Sequence, residues 1–96
     1  MSSILVIDDE QSICDVLSGI LEDEGYDVSV ALDGIEGCHK LAEKDFDLVF
    51  LDVWLPKKGG MEVLEEIKEK YPNIEVIIIS GHGNIDTAVQ AIKMGA

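Results

Sequence analysis

Three acidic side chains stand where apolar runs stop. Ile4-Leu5-Val6-Ile7 ends in Asp8-Asp9, and Leu48-Val49-Phe50-Leu51 ends in Asp52. A third run, Val76-Ile77-Ile78-Ile79, ends in Ser80-Gly81. If these runs are parallel strands, all their ends lie on one sheet edge, where open α/β sheets bind ligands. An aspartate after a strand can simply start a loop or cap a helix. That accounts for one of them but poorly for three, because clustered carboxylates repel one another. Such a cluster needs a cation, and oxygen donors without His or Cys favour Mg2+ over zinc. Magnesium keeps waters and meets phosphate oxygens in its remaining positions. A carboxylate beside it can attack phosphorus and give an aspartyl-phosphate. Ser80 could donate a hydrogen bond to a phosphoryl oxygen, or only bond its own loop backbone.

The elements that must position these groups are legible in the hydrophobic pattern. The three runs are continuous rather than alternating, which marks strands buried on both faces of a parallel sheet. Tyr26 to Ala31 alternates and suits a sheet edge. Between the strands lie helical stripes: Ile13, Val16, Leu17, Ile20 and Leu21; then Ile35, Cys38, Leu41 and Ala42; then Leu64, Ile67 and Tyr71, closed by Pro72. A fourth stripe, Ile85, Ala88, Val89 and Ile92, has Asn84 as N-cap and Gly95 as its stop. The alternation β-α-β-α-β-α-β-α predicts a parallel sheet with helices on both faces. No linker, repeat or low-complexity segment divides the chain, so residues 1–96 read as one domain or most of one.

Composition narrows the function. The 96 residues carry 20 acidic groups against seven lysines and no arginine, a formal charge of −13. That charge excludes a nucleic-acid surface and opposes an anionic membrane. No apolar run approaches the roughly 18 residues of a membrane span, and the N-terminus lacks a signal-peptide pattern. A cytoplasmic protein is the expectation. At 47% hydrophobic residues it is not a disordered acidic tail. Cys14 and Cys38 form no Cys-x-x-Cys pair, and His39 beside Cys38 completes no zinc set, so both thiols read as small hydrophobes. His82, between two glycines, lacks a nucleophile partner and reads as a loop residue. Trp54, without a basic groove, reads as a half-exposed neighbour of the site.

The order and spacing of these motifs resemble one family. Leu5-Val6-Ile7-Asp8-Asp9-Glu10, Glu24-Gly25-Tyr26, Asp47 through Pro56, Gly60 and Ser80-Gly81-His82-Gly83 are similar to the receiver domain of two-component response regulators. The stretch from Gly81 to Ala96 is similar to the nitrogen-regulation subgroup, whose members activate transcription with the alternative sigma factor. The resemblance implies a flavodoxin-like, doubly wound parallel sheet with strand order 2-1-3-4-5. It implies that Asp52 accepts a phosphoryl group from a sensor histidine kinase. Asp9 and Asp52 would ligate Mg2+ directly with the backbone carbonyl of Trp54, and Asp8 through water. Ser80 would turn toward the phosphoryl group. The domain would be a phosphoacceptor switch rather than an enzyme, acting through output domains.

The chain departs from that family in two places. Members continue with a fifth strand bearing a lysine and a switch aromatic, then a fifth helix, whereas this sequence ends at Gly95-Ala96. It therefore reads as a receiver domain truncated at its C-terminus. Phosphorylation should suffer more than metal binding. Strand four would lie at an edge, which predicts either self-association or a last helix rearranged to cover the gap, with dimerisation through strand four or the fourth helix favoured. The second departure is Lys57-Lys58-Gly59, which stands where the family has an acidic loop; only a local electrostatic effect is expected. Two rivals remain. One is a Mg2+-dependent phosphatase using an aspartyl-phosphate, disfavoured because Val53-Trp54 follows Asp52 where such enzymes resemble Asp-x-Asp. The other is an interaction module that is not phosphorylated. A flavin-binding protein on the same fold is disfavoured by Asp8-Asp9-Glu10 in the phosphate-loop position.

Overall fold

The structure, a computed structural model, describes residues 2–55 and 57–79. Four strands, β1 (Ser3–Ile7), β2 (Asp27–Ala31), β3 (Leu48–Asp52) and β4 (Glu75–Ile79), alternate with three helices, α1 (Gln11–Asp23), α2 (Gly34–Glu43) and α3 (Gly60–Lys70). The strands form one parallel sheet in the order β2-β1-β3-β4. This is the doubly wound order expected over its first four strands, with the alternating β2 at an edge. The stripe on Ile85, Ala88, Val89 and Ile92, and Ser80 itself, lie outside the described residues.

The unbroken apolar runs are explained by which face each residue covers. Successive strand residues point to opposite faces. Leu5 and Ile7 of β1, with Val49 and Leu51 of β3, join Leu41 of α2 and Val63, Leu64 and Ile67 of α3 in one core. Ile4 and Val6 join Cys14 of α1 in a second core, flanked by Leu17, Leu21, Leu48 and Phe50. Helix α1 thus covers one face and helices α2 and α3 the other. A strand with a core on each side has no polar face to spare.

The helical stripes are placed with two corrections. On α1 the buried residue is Cys14, while Val16 and Ile20 are 61% and 56% exposed. The residues that turn to the sheet are Cys14, Leu17 and Leu21, spaced i, i+3, i+7. The apolar stripe of this helix is wider than its contact with the sheet, and periodicity does not locate the centre of that contact. On α2 the buried positions are Gly34, Gly37 and Leu41, and Ile35 is exposed. Helix α2 approaches so closely that a Cβ on Gly37 would stand 2.7 Å from Ile7 Cδ1. On α3, Val63, Leu64 and Ile67 are buried, and Tyr71 caps the helix just before Pro72.

Candidate metal centre

Strand order reverses between β1 and β3, since β2 lies to one side of β1 and β3 to the other. Asp8 follows β1 and Asp52 closes β3, so both carboxylates stand at the point where α/β sheets open a crevice. Asp8 and Asp52 are 3% and 1% exposed, the buried polar residues of the described chain, while Asp9 is exposed. One carboxylate oxygen from each of Asp8, Asp9 and Asp52 lies within 4.8 Å of the others. The three aspartates singled out in the sequence are therefore brought together.

Local backbone chemistry holds them there. Asp8 Oδ1 accepts a hydrogen bond from the Glu10 N–H at 2.9 Å, and Asp52 Oδ1 accepts one from the Trp54 N–H at 3.0 Å. Both strands thus leave the sheet through the same two-residue side-chain turn, a habit of aspartate. Starting a loop and joining the cluster are compatible tasks, because a carboxylate has two oxygens. The loop after β3 then folds back: the Gly60 N–H donates to the Val53 carbonyl at 3.2 Å. A Cβ on Gly60 would collide with the Asp52 carbonyl oxygen and the Val53 Cα, so this return needs glycine. Trp54, whose N–H bonds Asp52, is 48% exposed, as its sequence context implied.

Burial and nearby carboxylates act on the two cysteines. Cys14 Sγ donates to the Asp8 carbonyl at 3.3 Å, which ties α1 beneath the end of β1. Burial, then the charges of Asp8 and Asp15, push the Cys14 thiol up to about 11. A thiol held protonated is neither a nucleophile nor a metal ligand. Burial first, then Glu66, also raises Cys38. Cys14 is buried and Cys38 half-buried, as their apolar sequence context implied. The donor set, three hard carboxylate oxygens with two of their residues buried, suits a hard divalent cation.

Two residues outside the cluster, Asp33 and Lys57, were undervalued by sequence reasoning. Asp33 caps α2, its Oδ1 accepting from the Glu36 N–H at 2.8 Å. Its Oδ2 lies 3.3 Å from Lys57 Nζ on the loop after β3. An Asp before a helical stripe is a readable cap signal, but its second partner is distant in sequence and had no signal there.

Comparison with known proteins agrees with this geometry. The family model of the response regulator receiver domain matches residues 4–96. The chain is 47% identical over 95 residues to the nitrogen assimilation regulatory protein NtrX of Azorhizobium caulinodans, covering 97% of this chain and 21% of that protein. It is 43% identical over 93 residues to the transcriptional regulatory protein ZraR of Klebsiella oxytoca, covering 97% of this chain and 21% of that one. The solution structure of the beryllofluoride-activated NtrC4 receiver domain dimer superposes with a TM-score of 0.91 at 48% identity, over all of this chain and 79% of that one. The chain spans about a fifth of the length of the curated relatives it matches.

Proposed function

The chain belongs to the response regulator receiver domain family, and on that premise we propose that Asp52 is its phosphoacceptor and that Asp8, Asp9 and Asp52 hold Mg2+. The observation that carries the reading is the meeting of three carboxylates, two of them buried, at the switch point of the sheet. Asp52 is the nucleophile: a carboxylate oxygen attacks the phosphorus of a phosphohistidine on a sensor kinase. The new oxygen–phosphorus bond forms as the phosphorus–nitrogen bond breaks, and the imidazole leaves with the electron pair. The Trp54 N–H, 3.0 Å from Asp52 Oδ1, fixes the carboxylate's orientation. When bound, the metal offsets the negative charge of carboxylates and phosphoryl oxygens. Asp9, Asp52 and the Trp54 carbonyl would hold it directly, and Asp8 through water. Ser80 donates to the phosphoryl group.

In this reading the domain is a signalling switch and not an enzyme, beyond gaining and losing its own phosphoryl group. It acts in the cytoplasm. No helix among the described residues is long and apolar enough to cross a membrane. It controls transcription through output domains, as the names of its regulatory relatives support. It self-associates on activation, a reading supported by the activated NtrC4 receiver dimer.

The test is intact mass after incubation with acetyl phosphate and Mg2+. One added phosphoryl group is expected, labile to hydroxylamine and lost in Asp52→Asn. Labelling that persists in Asp52→Asn, or is unaffected by chelating the metal, overturns the assignment.

A further inference from the structure

We propose that Lys57 is a positioning residue for the metal loop, holding the segment that carries Trp54 by an ion pair to the helix cap Asp33. The inference rests on the reading of Asp8, Asp9, Asp52 and the Trp54 carbonyl as a Mg2+ site, in which Lys57 and Asp33 have no role.

The conformation of Lys57 is the first observation. Its φ is 66°, the one positive φ on a non-glycine residue of the described chain. Side chains with a Cβ avoid that region, and they occupy it where surrounding structure imposes it. The imposing structure is visible on both sides. Lys57 Nζ lies 3.3 Å from Asp33 Oδ2, while Asp33 Oδ1 caps α2 at 2.8 Å. One carboxylate therefore grips the start of a helix and the loop together. The Glu36 N–H first, and then Lys57, hold that carboxyl below the usual range.

The backbone supplies the second observation. A Cβ on Gly34, the first residue of α2, would collide with the Lys58 carbonyl oxygen. Helix α2 and the loop thus meet main chain against main chain. Lys58 Nζ then bonds Glu66 Oε1 of α3 at 2.6 Å. At the other end, Gly60 lies against the Asp52 carbonyl. Among the described residues of this loop, Lys57 and Lys58 are fixed to α2 and α3, and Gly60 to the end of β3. Trp54, whose carbonyl is the assigned metal ligand, sits three residues before the Lys57 anchor. A carbonyl ligand is useful only while its loop stays in place, and magnesium demands near-ideal geometry.

Charge alone makes the opposite forecast. A lysine near a cation site repels the cation, so its removal should tighten Mg2+ binding. If Lys57 positions the loop, its removal should loosen binding. The sign of the change decides between them. The Mg2+ concentration giving half the change in Trp54 emission is measured for the wild type, Lys57→Gln and Lys57→Arg. The Lys57 side chain is 65% exposed, so substitution leaves the core intact. Lys57→Gln should weaken binding about two- to fivefold, the span that an exposed ion pair allows. Lys57→Arg, which keeps the pair, should stay near the wild type. The gap should close in molar salt, where the Debye length is about 3 Å. Binding that tightens or stays unchanged in Lys57→Gln, with the wild type responding normally, overturns the positioning role and leaves the metal site standing. A wild type that does not respond to Mg2+, in emission or in melting temperature, overturns both.

Discussion

Replacing Asp52 with Asn should stabilise the metal-free protein while removing the phosphoacceptor proposed for it. Asparagine keeps the shape of the side chain and an oxygen to accept the Trp54 N–H, which Asp52 Oδ1 now accepts at 3.0 Å. What it removes is one negative charge from a cluster whose oxygens lie within 4.8 Å of one another. Two like charges at 4.8 Å repel by about 3.5 kcal/mol at an effective dielectric constant of about 20. Asp9 is exposed, so water and ions damp its share, but Asp8 is 3% exposed and its pair with Asp52 is shielded from them. A net gain of about 2 kcal/mol is expected, roughly 10 °C in melting temperature for a domain of this size. The assay is thermal unfolding by circular dichroism in EDTA and in Mg2+. Magnesium at a hundredfold excess over its Kd should stabilise the wild type by about 2.7 kcal/mol, and Asp52→Asn by much less. The two proteins should therefore differ in EDTA and converge in Mg2+. An Asp52→Asn protein that melts at or below the wild type in EDTA would refute the claim that the carboxylates are held together against repulsion. Identical wild-type curves in EDTA and Mg2+ would remove the cation site.

Three further outcomes are expected. Trp54 emission should change on Mg2+ addition in the wild type and much less in Asp9→Ala, since the Trp54 N–H bonds the Asp52 carboxylate; an equal response in both proteins excludes Asp9 as a ligand. Gly60→Ala should cost at least the roughly 1–3 kcal/mol of an overpacked site, because its Cβ meets backbone at Asp52 and Val53. Gly37→Ala should cost less, because its Cβ meets the movable end of the Ile7 side chain; denaturant midpoints that reverse this order contradict the packing. Stability should fall as pH rises above the unfolded thiol value of 9.0 toward the folded Cys14 value of about 11. In that window the unfolded chain has released a proton that the folded chain keeps, at about 1.4 kcal/mol per pH unit at most. Cys38 contributes in the same direction. Melting temperatures from pH 8 to pH 11 should show the decline, flattened in Cys14→Ala; an equal slope in both proteins removes Cys14 as its source.

The sequence by itself determined the elements of the described residues and which carboxylates meet at the sheet edge. Continuous runs such as Ile4-Leu5-Val6-Ile7 and Leu48-Val49-Phe50-Leu51 can be satisfied only with a core on both faces, and the structure places Leu5 and Ile7 in one core and Ile4 and Val6 in the other. Strand ends were legible because an apolar run stops where the sheet does, and in a parallel sheet those stops share an edge. Asp8, Asp9 and Asp52 were therefore identifiable without coordinates. The tertiary structure decided how helices sit on the sheet and what grips the loop. The α1 stripe is wider than its contact, so Val16 and Ile20 face outward although they fit the helical period. Buried Gly34 and Gly37 have no apolar side chain to announce a packed face, and their burial follows from how closely α2 approaches. The Asp33–Lys57 pair joins residues whose separation matches no local period. Periodicity reports which residues share a face of one element; only the packing of several elements decides which of those faces meet.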